Sequence, residues 1–285
     1  MFKRKKQKEE EPLFVLSKTN QQLLNYKAYK MEANEKMLYF LIAFIVGAFV
    51  GFVFYGGVGK DEVGQATGWT YILDVVVMAL VGFLAGTVFL PIRKKQIINK
   101  RQKELRTQFI SLLDSLATSI AAGRNVPNAF MAARDDLRIQ YPEDAYILQE
   151  VNNIISGIRN NISVGGMLMD FGERSGIKDI QTFGRVFETA FDKGANLKDV
   201  VRNSNEILST KIHIEEEIET KVASTKNEQN IMLIMPVILV AMIKLSGGDF
   251  ANNFTTVKGV ITTTISIGFF VVAYLVGKKI LNIEV

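Results

Sequence analysis

The residues best suited to chemistry in this sequence lie in the charged stretch TKIHIEEEIETK at residues 210–221. His213 is the only histidine of the chain, and an exposed histidine on a helix beside a membrane is where a sensor kinase accepts a phosphoryl group. Such a kinase needs an ATP-binding domain downstream, whereas the sequence after His213 is short and mostly apolar. We therefore expect His213 to be an ordinary, partly exposed helix residue.

A cluster of glutamates directly after His213 raises the question of a metal site. Its members are Glu215, Glu216, Glu217 and Glu219. Metal binding needs oxygens that converge from different elements, whereas successive helical residues point around the cylinder. The pattern favours a solvated helix face, and a docking patch for a basic partner is the alternative.

The remaining composition excludes several classes of catalytic site. Cysteine is absent, which excludes a thiol nucleophile, a disulfide framework and a Cys-ligated metal, and one histidine makes a His-based zinc site untenable. No phosphate-binding G-x-x-x-x-G-K-[ST] loop or serine elbow occurs. We predict no catalytic, cofactor-binding or metal-binding residue, no cofactor and no enzymatic activity.

Four long apolar stretches dominate the hydropathy profile of the chain, and they set where the segments between them lie. They cover residues 37–59, 71–92, 231–248 and 259–277. A membrane-spanning helix needs roughly 20 apolar residues, and the third stretch reaches that length because Lys244 can extend its charged end toward the membrane surface. Trp69 and Tyr71 stand where an interfacial aromatic belt is expected. The sequence therefore predicts four transmembrane helices.

The distribution of Lys and Arg predicts the orientation of these helices. Basic residues concentrate at 1–8, at Arg93–Arg106 and at Lys278–Lys279, whereas the loops Lys60–Thr70 and Ser246–Lys258 carry one lysine each. By the positive-inside rule, both termini are cytoplasmic and the protein lies in the cell membrane. The basic runs set this topology and meet anionic lipids. Charges nearly cancel in the segment between the second and third spans, so we expect no nucleic-acid partner.

These patterns predict an all-α, polytopic membrane protein with a cytoplasmic six-helix bundle. Its parts are a basic cytoplasmic tail at 1–36, a transmembrane hairpin at 37–92, a cytoplasmic helical domain at 93–230, a second transmembrane hairpin at 231–277 and a cytoplasmic tail at 278–285. The helices of the bundle are predicted at Gln96–Ala122, Val126–Ile139, Glu143–Ile158, Val164–Arg174, Asp179–Lys193 and Leu197–Asn230, the last continuing toward the third span.

One short joint occurs twice in the helical domain, as AAGRNVPNAF at 121–130 and DKGANLKDVV at 192–201. Gly123 and Gly194 are predicted to end a helix in the left-handed conformation, and Asn125 and Asn196 to cap the next helix. Apolar positions around the joints also align: Phe109 with Ile180, Leu112 with Phe183, Leu116 with Phe187, Ile120 with Phe191, Val126 with Leu197 and Ala129 with Val200. The pattern favours a duplication that produced two related helical hairpins, and chance matching of amphipathic helices is the alternative.

Glycine and proline predict structural features of the membrane helices. Each of the first two spans contains a G-x-x-x-G pattern, Gly47 with Gly51 and Gly82 with Gly86, which lets helix backbones approach closely. The two spans are expected to pack on each other or across a dimer. Pro236 predicts a kink in the third span.

Four segments in order carry a resemblance to a known family. They read QFISLLDSLATSIAAGRNVPNAF, ISVGGMLMDFGERSGIKDIQTF, FETAFDKGANLKDVVRNSNEIL and IMPVIL. Together they resemble the type II secretion system F-domain family, the membrane platform proteins of type II secretion, type IV pili and archaeal flagella. One copy of the domain after two spans is most similar to the B or C platform subunit of the Tad pilus, since general secretion platform proteins carry two copies.

The resemblance implies a non-enzymatic role in protein secretion and pilus biogenesis. Platform proteins bind a hexameric cytoplasmic secretion ATPase, pilin subunits, membrane lipids and a second platform subunit or copy. We hypothesise that Arg124, Asn125, Lys193 and Asn196 project from the joints and contact the ATPase. The alternative is that these residues only close turns. The alternative function is that of a polytopic membrane sensor or transporter with a regulatory helical insert.

Overall fold

The computed structural model describes residues 11–60 and 65–281, and within them the regular secondary structure is α-helical apart from two short strands. The elements are β1 (Phe14–Leu16), β2 (Gln22–Leu24), α1 (Ala33–Tyr55), α2 (Gly68–Ala121), α3 (Val126–Gln140), α4 (Tyr146–Arg159), α5 (Val164–Ser175), α6 (Lys178–Asp192), α7 (Leu197–Ser246), α8 (Gly248–Asn253) and α9 (Val257–Leu281). The basic run at 1–8 and the last four residues of the predicted C-terminal tail lie outside the described residues.

Within the described residues, four helices are long and apolar enough to cross a membrane, which confirms the predicted all-α membrane class. They are α1, α2, α7 and α9, and the most apolar window of each has a mean hydropathy between 1.8 and 2.6. Between 0% and 22% of each window is buried inside the chain. Apolar helices with this much uncovered surface need lipid or another apolar surface around them.

Two of these helices are longer than their apolar stretches. The helix α2 has 54 residues and α7 has 50, so each continues from an apolar stretch into charged sequence. The sequence predicts separate helices at 71–92 and 96–122, whereas the structure has one helix that continues through Pro91. One proline removes a single helical hydrogen bond, and the Lys-, Arg- and Gln-rich sequence after it favours helix. Pro236 likewise lies inside α7.

The chain divides into two compact units. The helical unit contains residues 11–30 and 94–214, and the membrane unit contains residues 31–60, 65–93 and 215–281. The helical unit therefore includes a segment, 11–30, that the sequence analysis places in the N-terminal tail.

The helical unit is built around one apolar core. The apolar face predicted for α2 is fully buried at Leu105, Phe109, Leu112, Leu113 and Leu116. Buried residues from α3 to α7 complete the core, and the Phe109 ring lies edge-on to two phenylalanine rings, 5.9 Å from that of Phe171 and 5.5 Å from that of Phe183. Such aromatic pairs stabilise a fold by more than the apolar area that they bury.

The N-terminal segment forms a small antiparallel hairpin that the sequence analysis did not predict. Phe14 pairs with Leu24 and Leu16 with Gln22, and the turn contains Asn20 at φ 58. Asparagine tolerates this left-handed conformation better than other non-glycine residues. Strands of three residues carry too little pattern to predict.

The hairpin leads into a buried polar network that ties it to α4 and α5. The Tyr26 hydroxyl donates to Oε1 of Glu150 at 2.9 Å, and its backbone N–H donates to the Arg174 carbonyl at 3.0 Å. Arg174 donates to both Glu150 oxygens at 2.7 and 2.6 Å and to Asp170 at 2.9 Å. The side chains of Arg174 and Glu150 are 4% and 1% exposed.

The charge state of this network follows from its surroundings. Burial raises the pKa of Tyr26, and the neighbouring Glu150 carboxylate raises it further, so the phenol stays neutral and donates. Burial by itself lowers the pKa of Arg174, but the hydrogen bond and charge of Glu150 outweigh it and the net pKa is raised. The pair is therefore a charged, bidentate ion pair removed from water.

We expect Glu150→Ala to lower the free energy of unfolding of the helical unit by about 3–5 kcal/mol, because it leaves a buried guanidinium without its main partner. Tyr26→Phe should cost about 1.5–3 kcal/mol for one hydrogen bond to a charged group. Urea-dependent proteolysis of the full-length protein in detergent measures both. The ion pair of Arg134 with Asp135, whose side chain is 61% exposed, is the control, and Asp135→Ala should cost under about 1 kcal/mol. Equal effects of Glu150→Ala and Asp135→Ala would contradict a stabilising role of the network.

Candidate partner-binding site

The first of the two joints ends α2 with a six-residue hydrogen-bond pattern. Gly123 has φ +82, its N–H donates to the Ile120 carbonyl at 3.0 Å, and the N–H of Arg124 donates to the Ser119 carbonyl at 3.2 Å. These are the two bonds of a Schellman motif, which satisfies carbonyls left free at a helix end. Asn125 then caps α3, its Oδ1 accepting from the N–H of Asn128 at 3.0 Å.

The second joint has the same pattern at the end of α6. Gly194 has φ +64, its N–H donates to the Phe191 carbonyl at 3.2 Å, and the N–H of Ala195 donates to the Ala190 carbonyl at 2.8 Å. Oδ1 of Asn196 accepts from the N–H of Lys198 at 3.1 Å, one residue earlier than in the first joint. The offset has a physical reason, because Pro127 occupies the corresponding position of α3 and has no N–H.

The structure exposes the residues that were predicted to project from the joints. Arg124 and Asn125 are exposed in the first joint, and Lys193 and Asn196 in the second. The hydrogen bonds of the two asparagines show that both take part in closing their turns. Neither Arg124 nor Lys193 takes part in an ion pair within the described residues. The joints thus present two cations that turn closure does not use.

The two joints differ in one apolar residue that sequence reasoning did not single out. Ile120 is partly buried against the core, whereas the aligned Phe191 is 53% exposed. The Phe191 ring stacks on that of Phe187, which is buried, with ring centres 6.5 Å apart and planes 10° apart. An exposed aromatic ring is a candidate contact residue, because aromatic side chains supply much of the binding energy at protein interfaces.

Gly123→Ala should lower the free energy of unfolding of the helical unit by about 1–2 kcal/mol, because a side chain raises the energy of the left-handed backbone. A Cβ atom at Gly123 would meet nothing within 4 Å, so the cost comes from the backbone alone. Gly123→Asn should cost less, since asparagine tolerates that conformation. Urea-dependent proteolysis compares the two variants, and an alanine variant as stable as the original protein would show that the joint does not need glycine.

Glycines of the membrane unit lie where α1 meets α2. A Cβ atom at Gly47 would stand 2.5 Å from Cβ of Ala85, and one at Gly82 would stand 2.8 Å from the Phe44 carbonyl oxygen. The second glycine of each pattern meets the same neighbouring helix, Gly51 at Val81 and Gly86 at Phe40. In this structure the two G-x-x-x-G patterns face each other. The two spans thus pack on each other within one chain, which is one of the two arrangements that the sequence left open; the other was packing across a dimer.

Replacing a glycine at this contact should force the two helices apart. Gly47→Leu and Gly82→Leu are each expected to destabilise the protein by about 1–3 kcal/mol, the range for overpacking. Thermal unfolding in detergent measures the effect. The control is Gly268→Leu in α9, where a Cβ atom would meet nothing within 4 Å. Equal melting temperatures for the Gly268 and Gly47 variants would contradict a packing role for the pattern.

A second charged contact in the helical unit also escaped the sequence analysis. Asp179 of α6 lies between two cations, 3.0 Å from Arg106 of α2 and 3.1 Å from Lys211 of α7. These three residues are 73 and 32 positions apart along the chain (179 − 106 and 211 − 179). No local pattern connects them, so only the fold brings them together.

The charged stretch around His213 stays on the surface of α7. His213 is exposed, and Glu217 forms an ion pair with Lys221 one turn later at 2.6 Å. Within residues 11–60 and 65–281, no three His, Asp or Glu side chains converge in a way that could hold a metal ion. The geometry is that of a solvated helix face.

The chain matches no protein-family model, no curated protein and no solved structure.

Proposed function

We propose that this protein is a platform subunit of the type II secretion system F-domain family, most similar to the B or C subunit of a Tad-type pilus machine. In this role it lies in the cell membrane with both termini and the helical unit on the cytoplasmic side. It performs no reaction of its own. It couples a cytoplasmic secretion ATPase to the assembly of pilin subunits.

The observation that carries the proposal is the pair of exposed joints with matching hydrogen bonds. Each joint closes through backbone N–H groups and the capping asparagine, without the side chains of Arg124 and Lys193, so these two cations are available to an acidic partner surface. Two such contacts on one compact core suit a partner that binds through several equivalent subunits, as a hexameric ATPase does. The resemblance of the four ordered sequence segments to the family supports the same role.

The helical architecture supports a mechanical role. The helices α2 and α7 each contain residues of the helical unit and an apolar stretch long enough to span a membrane. Force applied by the ATPase to the helical unit therefore has two uninterrupted helices through which it reaches the membrane. The pattern of Lys and Arg in the sequence supports the cytoplasmic orientation.

Charge reversal at the joints tests this function. We expect the double variant Arg124→Glu, Lys193→Glu to lose most of its co-purification with the secretion ATPase of the same machine, together with pilus assembly, because two attractive contacts become repulsive. Arg159→Glu, a reversal at an exposed residue at the end of α4, is the matched control and should retain both activities.

Two results would contradict the proposal. One is normal co-purification and pilus assembly by the double variant while the folded state stays intact. The other is labelling of a cysteine introduced at Arg159 only from outside the cell, because a cytoplasmic motor could then not reach the helical unit.

A further inference from the structure

A cavity of about 470 Å³ lies in the membrane unit, where the α1–α2 turn meets the end of α7 and the α8 segment. Its volume is within the roughly 300–1,000 Å³ of ligand-binding pockets. Phe49, Phe52 and Leu245 provide apolar walls, and Lys60, Asp74 and Lys244 provide charges. A cavity that combines these properties is suited to a ligand with an apolar part and a charged part.

The charged groups are held in place by backbone contacts that use only part of their bonding capacity. Lys244 donates to the carbonyl of Phe54, in the last turn of α1, at 3.3 Å and to that of Gly56, directly after α1, at 2.8 Å. An ammonium group has three N–H donors, so one remains. Oδ1 of Asp74 accepts from the N–H of Gly57 at 2.8 Å, whereas Oδ2 has no hydrogen-bond partner in the described part of the chain.

Lys60 completes the charged side of the cavity. It is exposed, its side chain lies beside Gly57, and it takes part in no ion pair or hydrogen bond among the described residues. The cavity therefore offers two ammonium groups and one carboxylate oxygen, with apolar rings beside them. Two cations match a phosphate, and the carboxylate matches an amine.

The position of the cavity identifies the source of such a ligand. Trp69 and Tyr71 are 72% and 64% exposed at the start of α2, next to the cavity residues Thr70 and Asp74. Exposed Trp and Tyr at the end of a membrane-spanning helix mark the depth of the lipid headgroups. At that depth the molecules that carry phosphate, amine and apolar chains together are phospholipids.

We propose that this cavity is a binding site for a phospholipid with a primary amine in its headgroup, of the phosphatidylethanolamine class. The phosphate lies between Lys60 and the remaining donor of Lys244. The headgroup ammonium donates to Oδ2 of Asp74, and the start of an acyl chain packs against Phe49, Phe52 and Leu245. The bound lipid fills the space between the α1–α2 turn and the end of α7, and stabilises the membrane unit at that end.

Native mass spectrometry of the full-length protein tests the site. The protein is stripped of lipid in detergent and then mixed with phosphatidylethanolamine, phosphatidylcholine or phosphatidylglycerol, all with identical acyl chains. We expect one tightly retained phosphatidylethanolamine and about tenfold weaker retention of phosphatidylcholine, whose quaternary ammonium cannot donate a hydrogen bond to Asp74.

Two variants test recognition of the headgroup ammonium and of the phosphate separately. Asp74→Asn retains an acceptor for the Gly57 N–H but removes the charge, so it should abolish the preference for phosphatidylethanolamine. Lys60→Gln should weaken retention of all three lipids about tenfold. Lys258→Gln, an exposed lysine of the same end of the membrane unit that does not line the cavity, is the control and should behave like the original protein.

The proposal is overturned if the original protein retains the three lipids equally, or if Asp74→Asn and Lys60→Gln bind like the control. Soluble phosphoethanolamine distinguishes a lipid from a free headgroup. It should not protect the stripped protein against thermal unfolding at concentrations where phosphatidylethanolamine does, and equal protection by both would overturn the assignment to a lipid.

Discussion

The helical unit depends on the buried ion pair of Glu150 and Arg174. Removing two charges from water costs several kcal/mol for each ion, and only close, multiple contacts offset that cost. Arg174 meets Glu150 through two hydrogen bonds and Asp170 through a third, and the Tyr26 hydroxyl adds one more to Glu150. Any shift of α4 against α5 leaves a buried charge unsatisfied, and loss of the segment that carries Tyr26 removes one hydrogen bond from Glu150 and uncovers the pair. The network therefore fixes how these three segments pack.

The same constraint explains why the role of the N-terminal segment was not predictable. Tyr146, Glu150 and Asn153 form a polar stripe on α4, which in a sequence indicates a face toward solvent. In the structure the N-terminal segment covers this stripe: Tyr26 contacts the first two residues, and Thr19 donates to Asn153 at 2.5 Å. A polar helix face covered by polar side chains from another segment has the same sequence pattern as a solvated one. The covering segment lies more than 100 residues from α4 along the chain, so no local sequence pattern indicates that the two are in contact.

Features with local causes were predictable. The bounds of α3 to α6 follow from Gly, Asn, Ser and Pro at helix ends and from apolar periodicity, all of which act within one or two turns. The glycine patterns of α1 and α2 indicated close helix packing but not the partner helix, because the choice between the same chain and a second copy depends on the turn between the spans. The helix through Pro91 went unpredicted for the converse reason, since a local helix breaker was outweighed by strong helix formers after it.

The two joints differ in exposed surface, and the difference indicates which of them is better suited to contact a partner. If the hairpins arose by duplication, the aligned positions nearest the core have kept their role, because Leu112, Phe183, Leu116 and Phe187 are all buried. The last aligned pair before the joint has diverged, with Ile120 partly buried and Phe191 exposed. Closing a turn needs neither an exposed ring nor an unpaired lysine beside it, and exposing apolar surface to water is unfavourable. A partner that covers Phe191 removes this cost and can also form an ion pair with Lys193, so the second joint is the better candidate for the main contact.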